Sequence, residues 1–159
     1  MGSRSKIDLA YIAGFLDGDG SLMLQIKKRK DGQSKIRFMA TICFYQDSRH
    51  EKTLKWIRQI LGAGYFSRRN DGMSELRVNG YQQVLAIIES LLPYVKFKKV
   101  QAKALSQACA ILTQWPLKTL QKKQLLKLVD LILVIQKENY ATKSKKTKQE
   151  LLSILGLTP

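Results

Sequence analysis

Residues 12–20 read IAGFLDGDG, a small-residue helical segment that runs into two acids separated by one glycine. Ala13 and Gly14 would let the backbone of another helix approach closely. The carboxylates of Asp17 and Asp19 would place negative charge at the foot of that contact, where hard cations such as Mg²⁺ bind oxygen ligands. A bare Asp-x-Asp-Gly is also an ordinary helix-ending turn, so the surrounding sequence has to decide between a metal site and a turn.

The bulk composition indicates a folded protein that binds a polyanion. The chain has 159 residues, of which 45% are hydrophobic, so we expect one domain over 1–159 with a core at about 5–113 and C-terminal helices at about 119–155. Lys and Arg total 28 against 12 acids, a net charge of +16, which favours nucleic acid as partner. Cys43, Cys109 and His50 do not form a zinc pattern, and a reduced intracellular compartment fits best.

The order of helices and strands predicts an α+β fold. Ser5 and Asp8 form a capping box that opens a first helix, which should end at Asp17-Gly18. Two hairpins, turning at 31–32 and 70–72, enclose a second helix that opens at Ser48 with Glu51, and a third helix ends at Pro93. Further helices are predicted near 99–113, 119–138 and 147–155. The result is an αββαββα core with a four-stranded antiparallel sheet and added C-terminal helices.

One face of this sheet is predicted to meet DNA. Alternation places the apolar residues inward and leaves a polar, mostly cationic set outward, although an ordinary solvated sheet would look similar. Strand side chains of this kind fit the major groove and read base edges. A strand of about nine residues spans roughly 30 Å, or about nine base pairs, so two copies would cover about twenty. The candidate DNA-binding residues are Gln25, Lys27, Arg29, Arg37, Met39, Cys43, Ser67, Arg69, Glu75, Arg77 and Asn79.

The segment at 12–20 resembles the signature of the LAGLIDADG homing endonucleases, in the single-motif, homodimeric type found among organellar intron-encoded relatives. Five of its nine positions match that name letter for letter, and the αββαββα order is also the family's. The resemblance implies that Asp19 and the carbonyl of Gly18 hold the metal and that Asp17 supports the helix end. It further implies that Gln46 orders a water and that Lys98 lies beside the scissile phosphate. From the residues alone, Gln46 could equally end a strand and Lys98 be a solvated charge.

A single copy of the motif implies a homodimer, because one segment cannot supply both sides of a close helix contact. We expect Ile12, Ala13, Gly14 and Asp17 at that interface. The resemblance implies a site-specific, Mg²⁺-dependent double-strand DNA homing endonuclease on a long pseudo-palindromic target. It implies that Mn²⁺ substitutes and that Ca²⁺ binds without supporting cleavage, with no membrane or small-molecule partner and a chloroplast or mitochondrial location. The alternatives are an intron RNA maturase and a non-cleaving DNA-binding protein.

Overall fold

The computed structural model describes residues 4–32, 34–140 and 142–157. The two ends of the predicted domain, residues 1 and 159, lie outside the described residues, and the assignment of the chain to a single domain stays a prediction. Six α-helices and four β-strands span the described residues. In chain order they are α1 (Lys6–Asp19), β1 (Gly20–Lys28), β2 (Ile36–Asp47), α2 (Lys52–Leu61), β3 (Tyr65–Arg68), β4 (Met73–Asn79), α3 (Tyr81–Leu91), α4 (Lys99–Gln114), α5 (Lys122–Glu138) and α6 (Lys148–Ile154).

The four strands form one antiparallel sheet in the order β1-β2-β4-β3. Leu22 of β1, Ile42 of β2 and Leu76 of β4 lie on its inner face and are fully buried beneath the helices. The opposite face carries the alternate, mostly polar side chains. The predicted α+β class and the αββαββα core are therefore confirmed.

Helix α1 ends later than the sequence predicted. The Ser5 side chain accepts hydrogen bonds from the backbone N–H groups of Ile7 and Asp8, as expected of an N-cap. The helix then continues through Asp19, and the Gly20 N–H still donates to the Leu16 carbonyl. A Cβ on Gly20 would lie only 2.8 Å from that carbonyl oxygen, so glycine is required where the helix passes directly into β1.

The capping box predicted at Ser48 and Glu51 is wrong. A 3₁₀ turn spans Ser48–His50, and the Ser48 hydroxyl pairs with the Ser74 hydroxyl at 2.8 Å instead of capping α2. The Glu51 carboxylate accepts two hydrogen bonds from the Arg68 guanidinium, at 2.7 and 2.8 Å. Hydrogen bonds between charged groups are stronger than a neutral cap, and they draw Glu51 towards the second hairpin.

The C-terminal helices lie close to their predicted positions. Helix α5 packs against α4 and β1, and α6 packs against α5. Thr147 and Glu150 form the predicted capping box at the start of α6. The Asn139 amide, just after α5, donates to the Leu22 carbonyl of β1 at 2.9 Å, which fastens the end of α5 to the sheet. Among the described residues no helix combines the length and apolar character needed to cross a membrane.

Candidate active site and nucleic-acid interface

Asp17 ties the end of α1 to the loop that precedes α4. Its carboxylate accepts hydrogen bonds from the backbone N–H groups of Lys96 at 2.7 Å and Lys98 at 2.9 Å. The Lys98 ammonium in turn donates to the Asp17 backbone carbonyl at 2.5 Å. Both carboxylate oxygens of Asp17 are therefore engaged within the chain, which agrees with a supporting role at the helix end.

An open cavity of about 790 Å³ lies beside this helix end. Asp17, Gly18, Asp19 and Lys98 all line it, so the structure brings four of the predicted site residues together. Burial lowers the pKa of the Lys98 ammonium, while the nearby charges of Asp17 and Asp19 oppose that shift. The cavity thus contains the positively charged side chain of Lys98 close to two acids.

The donor set of the cavity matches part of a magnesium site. Asp19 is exposed, and its carboxylate has no hydrogen bond or ion pair with any described residue. Gly18 lies in the last turn of α1, where backbone carbonyls lack intrahelical partners. Within residues 4–32, 34–140 and 142–157, no group of three or more His, Cys, Asp or Glu side chains could hold a metal by itself. Mg²⁺ is commonly held by one or two carboxylates plus substrate phosphates and water, so the residues present fit that ion.

Gln46 is the predicted catalytic residue that the structure does not bring into the cavity. Its side-chain oxygen accepts from the Asp47 backbone N–H at 2.8 Å. The neighbouring outward residue Tyr45 lines the cavity instead, with its hydroxyl 3.2 Å from that of Ser21. A water-ordering role for Gln46 stays a prediction. His50 is exposed in the 3₁₀ turn before α2, away from the cavity lining.

The cavity wall also contains residues that the sequence reasoning did not predict, among them Tyr45, Gln101 and Asn139. Tyr45 had a detectable signal, because alternation along β2 points it outward next to the strand end. Gln101 and Asn139 belong to α4 and the end of α5, which approach α1 only through the tertiary fold. No local pattern in the sequence indicates that approach.

Most of the predicted DNA-binding residues have accessible side chains on the outer sheet face or its hairpin ends. The distal part of the first hairpin carries the exposed cations Lys27, Arg29 and Arg37. The second hairpin carries exposed Arg69, which pairs with Asp71 at 2.8 Å. The remaining accessible members are half-buried: Gln25, Met39, Ser67, Glu75, Arg77 and Asn79. The face is therefore both cationic and open, as a nucleic-acid surface requires.

Cys43 is the exception and corrects the predicted set. It is 0% exposed, because Arg77 lies opposite it in the register and Tyr45 hydrogen-bonds to it. Burial raises the pKa of the Cys43 thiol. Arg77 is itself held in place, with 27% of its side chain exposed and a salt bridge to Glu75 at 3.3 Å. Cys43 supports this cluster from below and presents no surface to a partner.

The predicted dimer interface is corrected in the same way. Ile12 and Ala13 are fully buried in the core of their own chain, since they lie on the inward side of α1. The outward side carries Ile7, Tyr11, Gly14 and Gly18, at helical spacing, and Ile7 is 81% exposed. A Cβ at Gly14 would meet no atom within 4 Å. Nothing inside the chain therefore requires glycine at that position.

Comparison with known proteins places this fold and site in a family. The family model described as LAGLIDADG endonuclease matches residues 12–112. The chain is 36% identical over 104 residues to DNA endonuclease I-CvuI of Chlorella vulgaris, covering 65% of each protein. It is 30% identical over 98 residues to DNA endonuclease I-CreI of Chlamydomonas reinhardtii, covering 62% of this chain and 60% of that one. These alignments span less than two thirds of either relative.

Solved structures extend the likeness beyond the aligned stretch. The crystal structure of I-CvuI in complex with its target, in the presence of calcium, superposes with a TM-score of 0.74 at 31% identity, covering 97% of this chain and 98% of that one. An archaeal intron-encoded homing endonuclease, I-Vdi141I complexed with DNA, gives a TM-score of 0.80 at 22% identity over 94% and 95% of the two chains, which shows the shared fold. With the family model covering more than half of its length, the chain belongs to the LAGLIDADG endonuclease family.

Proposed function

We propose that this protein is a site-specific, metal-dependent DNA endonuclease of the homing type that cuts both strands as a homodimer. One observation carries the proposal: Asp19 and Lys98 share an open cavity that adjoins a sheet with a cationic outer face. I-CvuI was crystallised with its DNA target. Double-stranded DNA is accordingly the partner that we assign to this chain.

The outer face of the sheet supplies the DNA contacts in this proposal. Arg and Lys side chains at the hairpin ends neutralise phosphates, a contribution that fixes the position of the protein without reading sequence. The half-buried residues nearer the cavity read base edges in the major groove. Arg77 and Gln25 are suited to guanine and adenine, respectively. The salt bridge to Glu75 holds the Arg77 side chain, which lowers the entropy lost on binding.

The second half of the active site comes from a second copy of the chain. The outward side of α1, with Gly14 and Gly18 at its centre, permits a close contact between two identical helices about a two-fold axis. Ile7 and Tyr11 extend that contact with apolar surface. The same axis brings the two Asp19 carboxylates towards one another, and clustered carboxylates favour bound cations.

Asp19 and the Gly18 carbonyl would hold Mg²⁺, with Mn²⁺ able to replace it and Ca²⁺ binding without cleavage. When bound, the metal supplies charge that stabilises the phosphate undergoing in-line displacement and lowers the pKa of a bound water. Lys98 provides a second positive charge beside the scissile phosphate. Asp17 holds Lys98 in position through the hydrogen bonds described above. An intracellular, chloroplast or mitochondrial setting is part of this proposal.

Cleavage of a randomised target library tests the function. Purified protein is incubated with the library and Mg²⁺, and the new DNA ends are sequenced. We expect double-strand breaks concentrated at one pseudo-palindromic site, and no breaks with Asp19→Asn at equal or tighter DNA binding. Specific DNA binding without cleavage would favour the non-cleaving alternative. Tight binding to intron RNA, with neither specific binding nor cutting of DNA, would favour the maturase.

A further inference from the structure

Gln101 is a buried polar residue that the proposed chemistry does not yet use. It is only 5% exposed and lines the cavity that contains Asp19 and Lys98. Its Oε1 atom has no hydrogen-bond partner among the described residues. An unpaired buried acceptor destabilises the folded protein, so such an atom calls for a donor.

The orientation of the Gln101 amide follows from a chain of donors and acceptors. The Leu22 carbonyl can only accept, so the Asn139 amide nitrogen must point to it, at 2.9 Å. This leaves the Asn139 oxygen facing Gln101, whose amide nitrogen therefore donates to it, at 3.5 Å. Turning the Gln101 amide over would place two oxygens against each other. Its Oε1 is thus the atom left without a partner.

A water molecule is the donor that the site can accommodate. The cavity, at about 790 Å³, has room for several waters and is lined by charged groups. Lys98 is the N-cap of α4, three residues before Gln101, and both residues line the cavity. A water between them would accept from the Lys98 ammonium and donate to Gln101.

We propose that Gln101 is a positioning residue for DNA cleavage: its Oε1 holds an ordered water that contacts the Lys98 ammonium and fixes where that ammonium stands in the cavity. The Asn139 bridge holds Gln101 in turn and so links the end of α5 to the cleavage site. This inference rests on the proposed endonuclease function. Misplacing a catalytic group by about 1 Å can slow a reaction by about 100-fold.

The kinetic test compares Gln101→Met, Asn139→Ala and the double variant on the preferred site found in the library. Single-turnover cleavage with excess protein is measured alongside DNA affinity and the unfolding midpoint. We expect each single variant to cleave about 10-fold to 100-fold more slowly with DNA affinity within about twofold of wild type. The double variant should cleave no more slowly than the slower single variant, because both changes disrupt the same hydrogen-bonded pair. Gln107→Met, the same change at an exposed glutamine of α4, should leave the rate unchanged.

Three results would overturn the inference. One is a Gln101→Met rate within twofold of wild type, and another is rate losses that multiply in the double variant. The third is a crystal structure of the unmodified protein that shows no water within hydrogen-bond distance of both Gln101 Oε1 and Lys98 Nζ. Absence of that water excludes the assignment even if Gln101→Met fails to fold. If wild-type protein cuts nothing in the library, the proposed function fails, while the crystal structure still tests the water.

Discussion

Asp17 and Asp19 differ in what they contact, and replacing each with alanine separates the acid that supports the fold from the acid that we propose to bind the metal. Asp17 accepts hydrogen bonds from the backbone N–H groups of Lys96 and Lys98. Asp19 is exposed and has no such bond with a described residue. We expect Asp17→Ala to destabilise the fold and Asp19→Ala to leave its stability almost unchanged.

The size of the Asp17 effect follows from its two bonds. A hydrogen bond to a charged group contributes about 1.5–3 kcal/mol, towards the lower end where water can replace it. The bond from Lys96 is exposed and the bond from Lys98 is partly buried. Together they predict a loss of about 3–4 kcal/mol in the free energy of unfolding for Asp17→Ala. Exposed changes such as Asp19→Ala usually stay within about 0.5 kcal/mol.

Chemical denaturation at equal protein concentrations measures both free energies, since the stability of a dimer depends on concentration. Single-turnover cleavage then separates the roles. Asp19→Ala should abolish cleavage with a normal unfolding curve, whereas Asp17→Ala should slow cleavage because Lys98 loses its support. Equal unfolding free energies for the two variants would refute the distinction. So would an Asp19→Ala variant that cuts at the wild-type rate.

Three further predictions concern the dimer contact, the DNA-binding face and the second hairpin. Gly14→Leu should yield folded monomers, which light scattering and circular dichroism would detect, and these monomers should no longer cut both strands. A variant that remains a dimer on DNA would contradict the helix contact. Arg77→Ala should reduce the free energy of DNA binding by roughly 1–3 kcal/mol through one base pair in each half-site. Lys99→Ala should instead weaken binding to all sites alike and lower the salt slope of binding by about 0.9 for each phosphate that it no longer neutralises. Binding to singly substituted targets distinguishes the two variants, and uniform losses for Arg77→Ala would exclude base reading by this residue. The Arg68 guanidinium, and then Lys55, lower the pKa of Glu51 from 4.5 to about 2. Because the pKa is lower in the folded state, this stabilisation is present above pH 4.5 and is lost as the pH falls towards 2. The free energy of unfolding of Glu51→Gln should therefore depend less on pH over that range, and an unchanged pH dependence would contradict the prediction.

The periodic parts of this fold could be predicted from the sequence. Strands β1, β2 and β4 alternate between buried and accessible residues, and this alternation correctly assigned Leu22, Ile42 and Leu76 to the core. The turn sequences at 31–32 and 70–72 placed the hairpins. These features depend on neighbours only a few residues apart, so a sequence pattern contains the information that specifies them.

The parts that failed depend on contacts between distant segments. Ser48 has the composition of an N-cap, but its hydroxyl pairs with Ser74, which only the fold brings near. Alternation placed Cys43 on the outer face, yet the larger Tyr45 and Arg77 side chains cover it there. Gln101 and Asn139 line the same cavity although 38 positions separate them along the chain.

The different roles of the two acids also follow from helix geometry. Successive helical residues are turned by about 100°, so side chains two residues apart point about 200° away from each other. Asp17 and Asp19 both line the cavity, but both carboxylate oxygens of Asp17 accept hydrogen bonds from the loop at 96–98, so of these two acids Asp19 alone has its carboxylate free. Asp19 and the nearby carbonyl oxygens supply fewer ligands than a divalent cation needs from the protein alone. Under the proposed function, a second copy of the chain and DNA phosphate would supply the remaining ligands, which the open cavity can admit.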